Sequence, residues 1–261
     1  MSLPSMNDIP LWAVFAIMVA TVLASLTIGY RVGMVVRKRV EGEPEGPIGG
    51  VVGATLGLLA FMLAFTFGVT TNRFDARKQL LLDEVNALRT AALRADLLPE
   101  PHRTECGRLV RLYVDSRLRA VADTANMPAA IKEAERIQSE LWSHAVALAR
   151  ADMNSDIGAL FVEAINSVVE IHTSRTTVGL QYRIPQIVWS ILLLLTVLSM
   201  VAVGYQFGIV GRCSAAEVVI LALSFSLVVL LIADLDRSTG GLVTVNQQPM
   251  IDLQQRLSGN P

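Results

Sequence analysis

From Ile48 to Asn72 the chain reads IGGVVGATLGLLAFMLAFTFGVTTN, 25 residues without a charge, with glycines in a ladder and phenylalanines at helical spacing. About 20 predominantly apolar residues are enough to cross a bilayer as a helix. The run then passes without a break signal into RFDARKQLLLDEVNALRTAALRADLL, which is charged yet still helical in pattern. One long helix that starts in lipid and continues into water is the consequence. The rest of the chain has to be arranged around it.

Three further apolar runs accompany this one. Leu11 to Tyr30 is followed by Arg31, Arg37, Lys38 and Arg39. It starts too late and runs too long for a cleaved signal peptide, so it is read as a retained first span. Glu41 to Pro47, EGEPEGP, is a loop by its prolines and glycines. Ile184 to Gly211 is the third span, with Pro185 in its first turn, where a missing N–H costs nothing. Trp189 and Tyr205 stand near its two ends, as interfacial anchors do. Val218 to Ala233, between Glu217 and Asp234, is read as the fourth span, with a re-entrant or interfacial helix as the alternative for so short a run. The expected class is an all-α membrane protein with four transmembrane helices and a helical soluble segment between the second and third. The expected divisions are 1–47, 48–72, 73–183, 184–236 and 237–261.

Composition agrees with this class. Mean hydropathy is +0.50 and only 17% of residues are charged, which removes an ordinary soluble protein. The net charge of −1 carries no basic excess, so nucleic acid is not an expected partner. Two distant cysteines, Cys106 and Cys213, argue against a disulfide framework. The lipid bilayer is the expected partner. Basic residues flank both faces of the spans, and the positive-inside rule does not choose between the two orientations.

In the segment 73–183, Phe74, Leu81, Val85, Leu88, Ala92 and Ala95 form a heptad-like apolar stripe. Pro99 and Pro101 end that helix. Helices over His102–Asp123 and Ala129–Arg150 follow, and Ser155 caps a last one that leads back to the membrane at Pro185. The picture is two membrane-continuous stalk helices, 73–98 and 155–183, with a helical hairpin between them.

No motif for catalysis stands out. His102, His144 and His172 lie in no metal-ligand spacing, and no phosphate loop or nucleophile elbow is present. The chain is therefore not expected to be an enzyme, and no cofactor or metal is expected. Two polar groupings interrupt the stalk helices. Glu84 and Asn86 lie on the first, and Asn166, Glu170, His172 and Arg175 on the second. They read as a network locking helix to helix, or as groups lining an aqueous vestibule.

Within the second span, Gly49, Gly53 and Gly57 continue through Ala60 and Ala64, and small residues of this kind mark close helix packing in lipid. Gly57, Phe61, Phe65, Gly68 and Asn72 fall on one line. Around a symmetry axis they would form a narrow apolar constriction that gates by dewetting. Otherwise they face lipid or a neighbouring helix.

The stretch FMLAFTFGVTTNRFDARKQLLLDEVNALRTAALRADLLPE resembles the pattern of the bestrophin-like family of unknown function. Leu112 to Arg117 (LYVDSR), Asn166 to Arg175, and Leu235-Asp236-Arg237 with Gly241 extend the resemblance in the expected order. Val85 stands where alanine is usual, and Ser238 where proline is common. The resemblance reaches more distantly to the bestrophins, pentameric chloride-type channels whose second helix lines the pore. It implies a homo-oligomer, a pentamer, that passes inorganic anions through a neck at Gly57, Phe61 and Phe65. It also implies a plasma (inner) membrane location with 73–183 cytoplasmic. Gly57 replaces a bulky neck residue, and Asp75 stands where bacterial bestrophins carry a second tryptophan. A stator-like proton channel and a non-conducting scaffold or sensor are the competing readings, the first needing an acid inside the membrane.

Overall fold

A computed structural model of the chain describes residues 9–39, 48–123, 126–238 and 240–259. The loop expected at Glu41 to Pro47 and the start of the N-tail lie outside them. The described residues build α1 (Leu11–Arg39), α2 (Ile48–Ala95), α3 (His102–Ala122), α4 (Met127–Ala151) and α5 (Asp156–Thr176). A π-helical turn (Thr177–Gln181) follows, then α6 (Gln186–Val210), α7 (Ala215–Asp236) and α8 (Gln248–Leu257). The class is all-α, as expected. Among the described residues four helices, α1, α2, α6 and α7, are long and apolar enough to cross a membrane.

The chain divides into two compact units, Met1–Arg73 with Arg183–Val243, and Phe74–Tyr182 with Thr244–Pro261. The unbroken 48-residue α2 contributes to both.

In the first unit, Val22, Leu26, Leu59, Leu63, Met200 and Ile232 form the apolar core. Its tightest seam joins α1 to α6 through two glycine pairs. A Cβ built on Gly29 would lie 2.1 Å from the Val201 carbonyl oxygen, and one on Gly204 would lie 2.2 Å from that of Leu26. Gly33 and Gly208 repeat the arrangement one turn on, at 2.3 Å from the Tyr205 oxygen and 2.4 Å from that of Tyr30. Such backbone-to-backbone approach is how small residues hold helices together where no hydrophobic drive exists between apolar neighbours. Gly211, at φ 73°, ends α6 in the left-handed conformation that suits glycine. α7 runs on to Asp236, beyond the expected Val218 to Ala233, and its 22 residues suffice for a crossing. The extra turn holds two buried aspartates: the Asp234 carboxylate accepts hydrogen bonds from the chain beyond the helix end, and that of Asp236 accepts one from Ile184, just before α6.

The second unit packs the later part of α2 with α3, α4, α5 and α8 around Leu88, Leu109, Ile137, Leu141, Phe161 and Ile165. Pro128 opens α4. The Ser155 hydroxyl accepts the Gly158 N–H (3.1 Å) and so caps α5. The α-helix there stops at Thr176, short of the expected 183. The π-helical turn and an extended stretch precede Pro185, which disfavours helical backbone in the residue before it. The C-tail, delimited from sequence only as 237–261, carries α8, which buries Met250 and Leu253 in this core. Two buried positions three residues apart are a weak periodic signal, and so α8 went unread.

Candidate functional site

α2 presents two opposite faces in the first unit. Val52, Leu59, Leu63, Thr66 and Thr70 are buried, following a seven-residue period. At about 100° per residue, the opposite side carries Gly57, Phe61, Phe65, Gly68 and Asn72. Phe61 and Phe65 are 65% and 62% exposed in the single chain, Gly57 and Asn72 are exposed, and Gly68 is half-buried. All five are uncharged, so this face carries no charge into lipid or along a pore. Ala60 and Ala64, beside this line, are exposed as well. A Cβ at Gly53, Gly57 or Gly68 would meet nothing within 4 Å, and one at Gly49 would meet only the Gln206 amide at 3.7 Å. The close approach inside one chain is thus made by Gly29, Gly33, Gly204 and Gly208, which sequence reading passed over. The small residues of α2 stand on surface that this chain leaves uncovered.

A second constellation lies in the second unit, where α2, α3, α4 and α5 converge on Glu84, whose side chain is fully buried. Tyr113 donates its hydroxyl proton to Glu84 Oε1 (2.9 Å). The Arg117 guanidinium lies 3.2 Å from the same oxygen, and Arg175 pairs with Oε2. The Gln138 amide nitrogen, which can only donate, reaches the Tyr113 oxygen at 3.4 Å. His172 Nδ1 sits 3.0 Å from that oxygen. With its one proton given to Glu84, the tyrosine can only accept, so His172 carries its proton on Nδ1. Its Nε2 is then a bare acceptor, buried and without a partner. Burial, with Arg117 nearby, pushes the imidazole down to about 4, and burial pushes Tyr113 up to about 12. Both are neutral at physiological pH. Burial lowers Arg175 to about 10, so it keeps its charge there.

Of the polar stalk residues named from sequence, the structure brings Glu84, His172 and Arg175 together. Asn86, Asn166 and Glu170 are exposed and outside this cluster. Tyr113, Arg117 and Gln138 were missed as members. Tyr113 and Arg117 stand four apart on α3, so they share a face. The Tyr113 ring lies in the apolar core of this unit, and only its hydroxyl reaches the cluster.

The residues at the end of α7 form a clasp in the first unit. Asp234 accepts the N–H groups of Leu242 (2.7 Å) and Val243 (2.9 Å). A Cβ on Gly241 would come within 2.6 Å of its carboxylate, so a side chain there would displace it. Asp236 accepts the Ile184 N–H (3.1 Å) and pairs with Arg73 (3.3 Å). Arg183 donates to the Asp236 carbonyl and to the Ser238 hydroxyl, both at 2.6 Å. Ser238 thus supplies an acceptor that a proline could not. Asp234 with Gly241 thus fixes the turn that leaves α7, and Asp236 of the Leu235-Asp236-Arg237 motif ties the end of that helix to Ile184 and Arg73.

His102 and His144 meet through their Nδ1 atoms (2.9 Å). Among the described residues no three metal-ligating side chains converge. Both cysteines are free, and burial pushes the Cys106 thiol up to about 12, which keeps it unreactive.

No curated protein matches the chain. Its fold is similar to that of a bacterial bestrophin homologue from Klebsiella pneumoniae carrying a point mutation, with TM-score 0.68 and 15% identity over 94% of this chain and 99% of that one. A membrane protein with a proline-to-alanine substitution is similar too, with TM-score 0.65 and 15% identity over 95% and 98% of the two chains. A profile of the Bestrophin-like domain matches residues 18–250. With four membrane-length helices, a matching fold and a profile that covers most of its length, this chain belongs to the bestrophin-like family of integral membrane proteins.

Proposed function

We propose that the protein is a homo-oligomeric ion channel, anion-selective and pentameric by its likeness to bestrophins, whose pore is lined by α2. The observation that carries this reading is the uncovered face of α2. Gly57, Phe61, Phe65, Gly68 and Asn72 stand opposite the face that the subunit itself buries. Copies packed through the small residues Gly53, Ala60 and Ala64 would turn that line towards a common axis. Phe61 and Phe65 would then form an apolar neck, and Thr71 and Asn72 a polar mouth. Gly49 would pack at the other end of the same helix. The plasma membrane, with 73–183 cytoplasmic, is the location that goes with this reading.

The stator-like alternative wants a free acid within the membrane. Asp234, the acid at the end of α7, has its carboxylate taken up by two backbone N–H groups, which favours the channel over the proton path. The scaffold reading has no contact of its own in its favour.

Thiol accessibility tests the proposal. Single cysteines introduced at Gly57, Phe61, Phe65 and Asn72 in a cysteine-free background should react with a small water-soluble thiol reagent. Cysteines at Leu59 and Leu63 should stay protected. Equal protection of both sets would mean that no water reaches the α2 face, and the pore assignment would fail.

A further inference from the structure

The cluster around Glu84 does not balance its charge. One carboxylate, Glu84, faces two guanidinium groups, Arg117 and Arg175, while Tyr113, His172 and Gln138 are neutral. The sum is one surplus positive charge. Asp115 and Asp83, the acids next along the chain, form no ion pair with either arginine; their carboxylates accept from the neutral amides of Gln254 (2.7 Å) and Gln79 (2.9 Å). The side chains of Arg117 and Arg175 are only 11% and 15% exposed. A cation so far removed from water without a counter-charge is costly.

Hydrogen-bond inventory points the same way. Each guanidinium has five N–H donors in a fixed fork. Glu84 offers two oxygens, already shared among Tyr113, Arg117 and Arg175. Arg117 Nε, although close to Glu84, is buried and forms no aligned hydrogen bond. His172 Nε2 is an acceptor and supplies no negative charge. Two guanidinium groups thus share one carboxylate, and Arg117 Nε is left buried without an aligned acceptor.

We propose that Arg117 and Arg175 form a binding site for a small inorganic anion in the helical unit, separate from the α2 face, with the anion neutralising the surplus charge beside Glu84. The proposal stands independently of the channel reading, because binding there stabilises the folded unit whether or not ions cross the membrane. The competing source of negative charge is a carboxylate from a neighbouring copy, which would make the site insensitive to free anions.

The test is the melting temperature of the full-length protein in detergent, with sodium gluconate exchanged for sodium chloride at constant ionic strength. The melting temperature should rise by about 3 °C for each tenfold increase in chloride above its midpoint. Arg117→Gln, which leaves one carboxylate and one guanidinium, should abolish that dependence, and Arg175→Gln should do the same. Line broadening of the chloride NMR signal by the wild-type protein, reversed by sulfate, reads binding without any variant. Identical melting in gluconate and chloride with no line broadening overturns the proposal. So does a chloride effect that survives in both arginine variants, which would place the anion elsewhere.

Discussion

At the scale of single residues, His172 is the group whose surroundings most constrain its chemistry. Burial and Arg117 hold it near 4, against 6.5 for an ordinary histidine. In the unfolded chain it takes a proton as pH falls through about 6.5, whereas in the folded unit it stays neutral until about 4. The unfolded state therefore binds more protons between those values, and stability falls as pH drops from about 6.5 towards about 4. Above that window His172 contributes no pH dependence. His172→Gln should flatten the melting-temperature profile between pH 6.5 and 4.5 relative to wild type. An unchanged slope would show that His172 is protonated in the folded state or that other groups carry the effect. Glu84, His172 and Arg175 were legible as polar interruptions of helical stripes. Tyr113 was not, because a buried tyrosine offers an apolar ring and a polar tip, and sequence periodicity registers only the ring. Arg117 lies in the LYVDSR stretch, but its partner is 33 positions away, on another helix. No local spacing rule reaches that far.

Among the elements, the spans were readable because length and apolarity are properties of one segment at a time. Pairing between spans is a property of two. The glycine ladder of α2 drew notice because it is long and regular. The contacts that hold the subunit's own helices together come from the shorter pairs Gly29/Gly33 and Gly204/Gly208. Each pair has three residues between its glycines, the spacing that puts both on one helix face. Gly204→Ala should lower the stability of the detergent-solubilised protein by about 1–3 kcal/mol through overpacking against the Leu26 backbone. Gly53→Ala should leave the fold of the single subunit intact, since a Cβ there meets nothing within 4 Å. Thermal melting of both variants checks this, and a Gly204→Ala protein as stable as wild type would mean that α1 and α6 can separate without loss. The end of the last stalk helix at Thr176 and the docking of α8 were unreadable for a related reason. A π-helical turn and a two-residue apolar contact leave almost no periodic trace.

For the whole molecule, family and fold agree on a four-span helical protein, and the sequence pattern was enough to reach both. Function depends on what covers the α2 face, which is a matter of assembly. One chain exposes Phe61 and Phe65 whether they meet lipid, a neighbouring copy or a pore. Uncharged composition along that face suits all three, which is why periodicity alone could not decide. The central claim is that ions pass along it. Currents from the purified protein in planar lipid bilayers test this most directly, with wild type and the double variant Phe61→Ala, Phe65→Ala compared under a chloride gradient. The pore reading predicts anion-selective current from wild type and, with the two rings removed, conductance at least several-fold higher or a loss of closed states. No selective current, or currents identical in the two proteins, would contradict it.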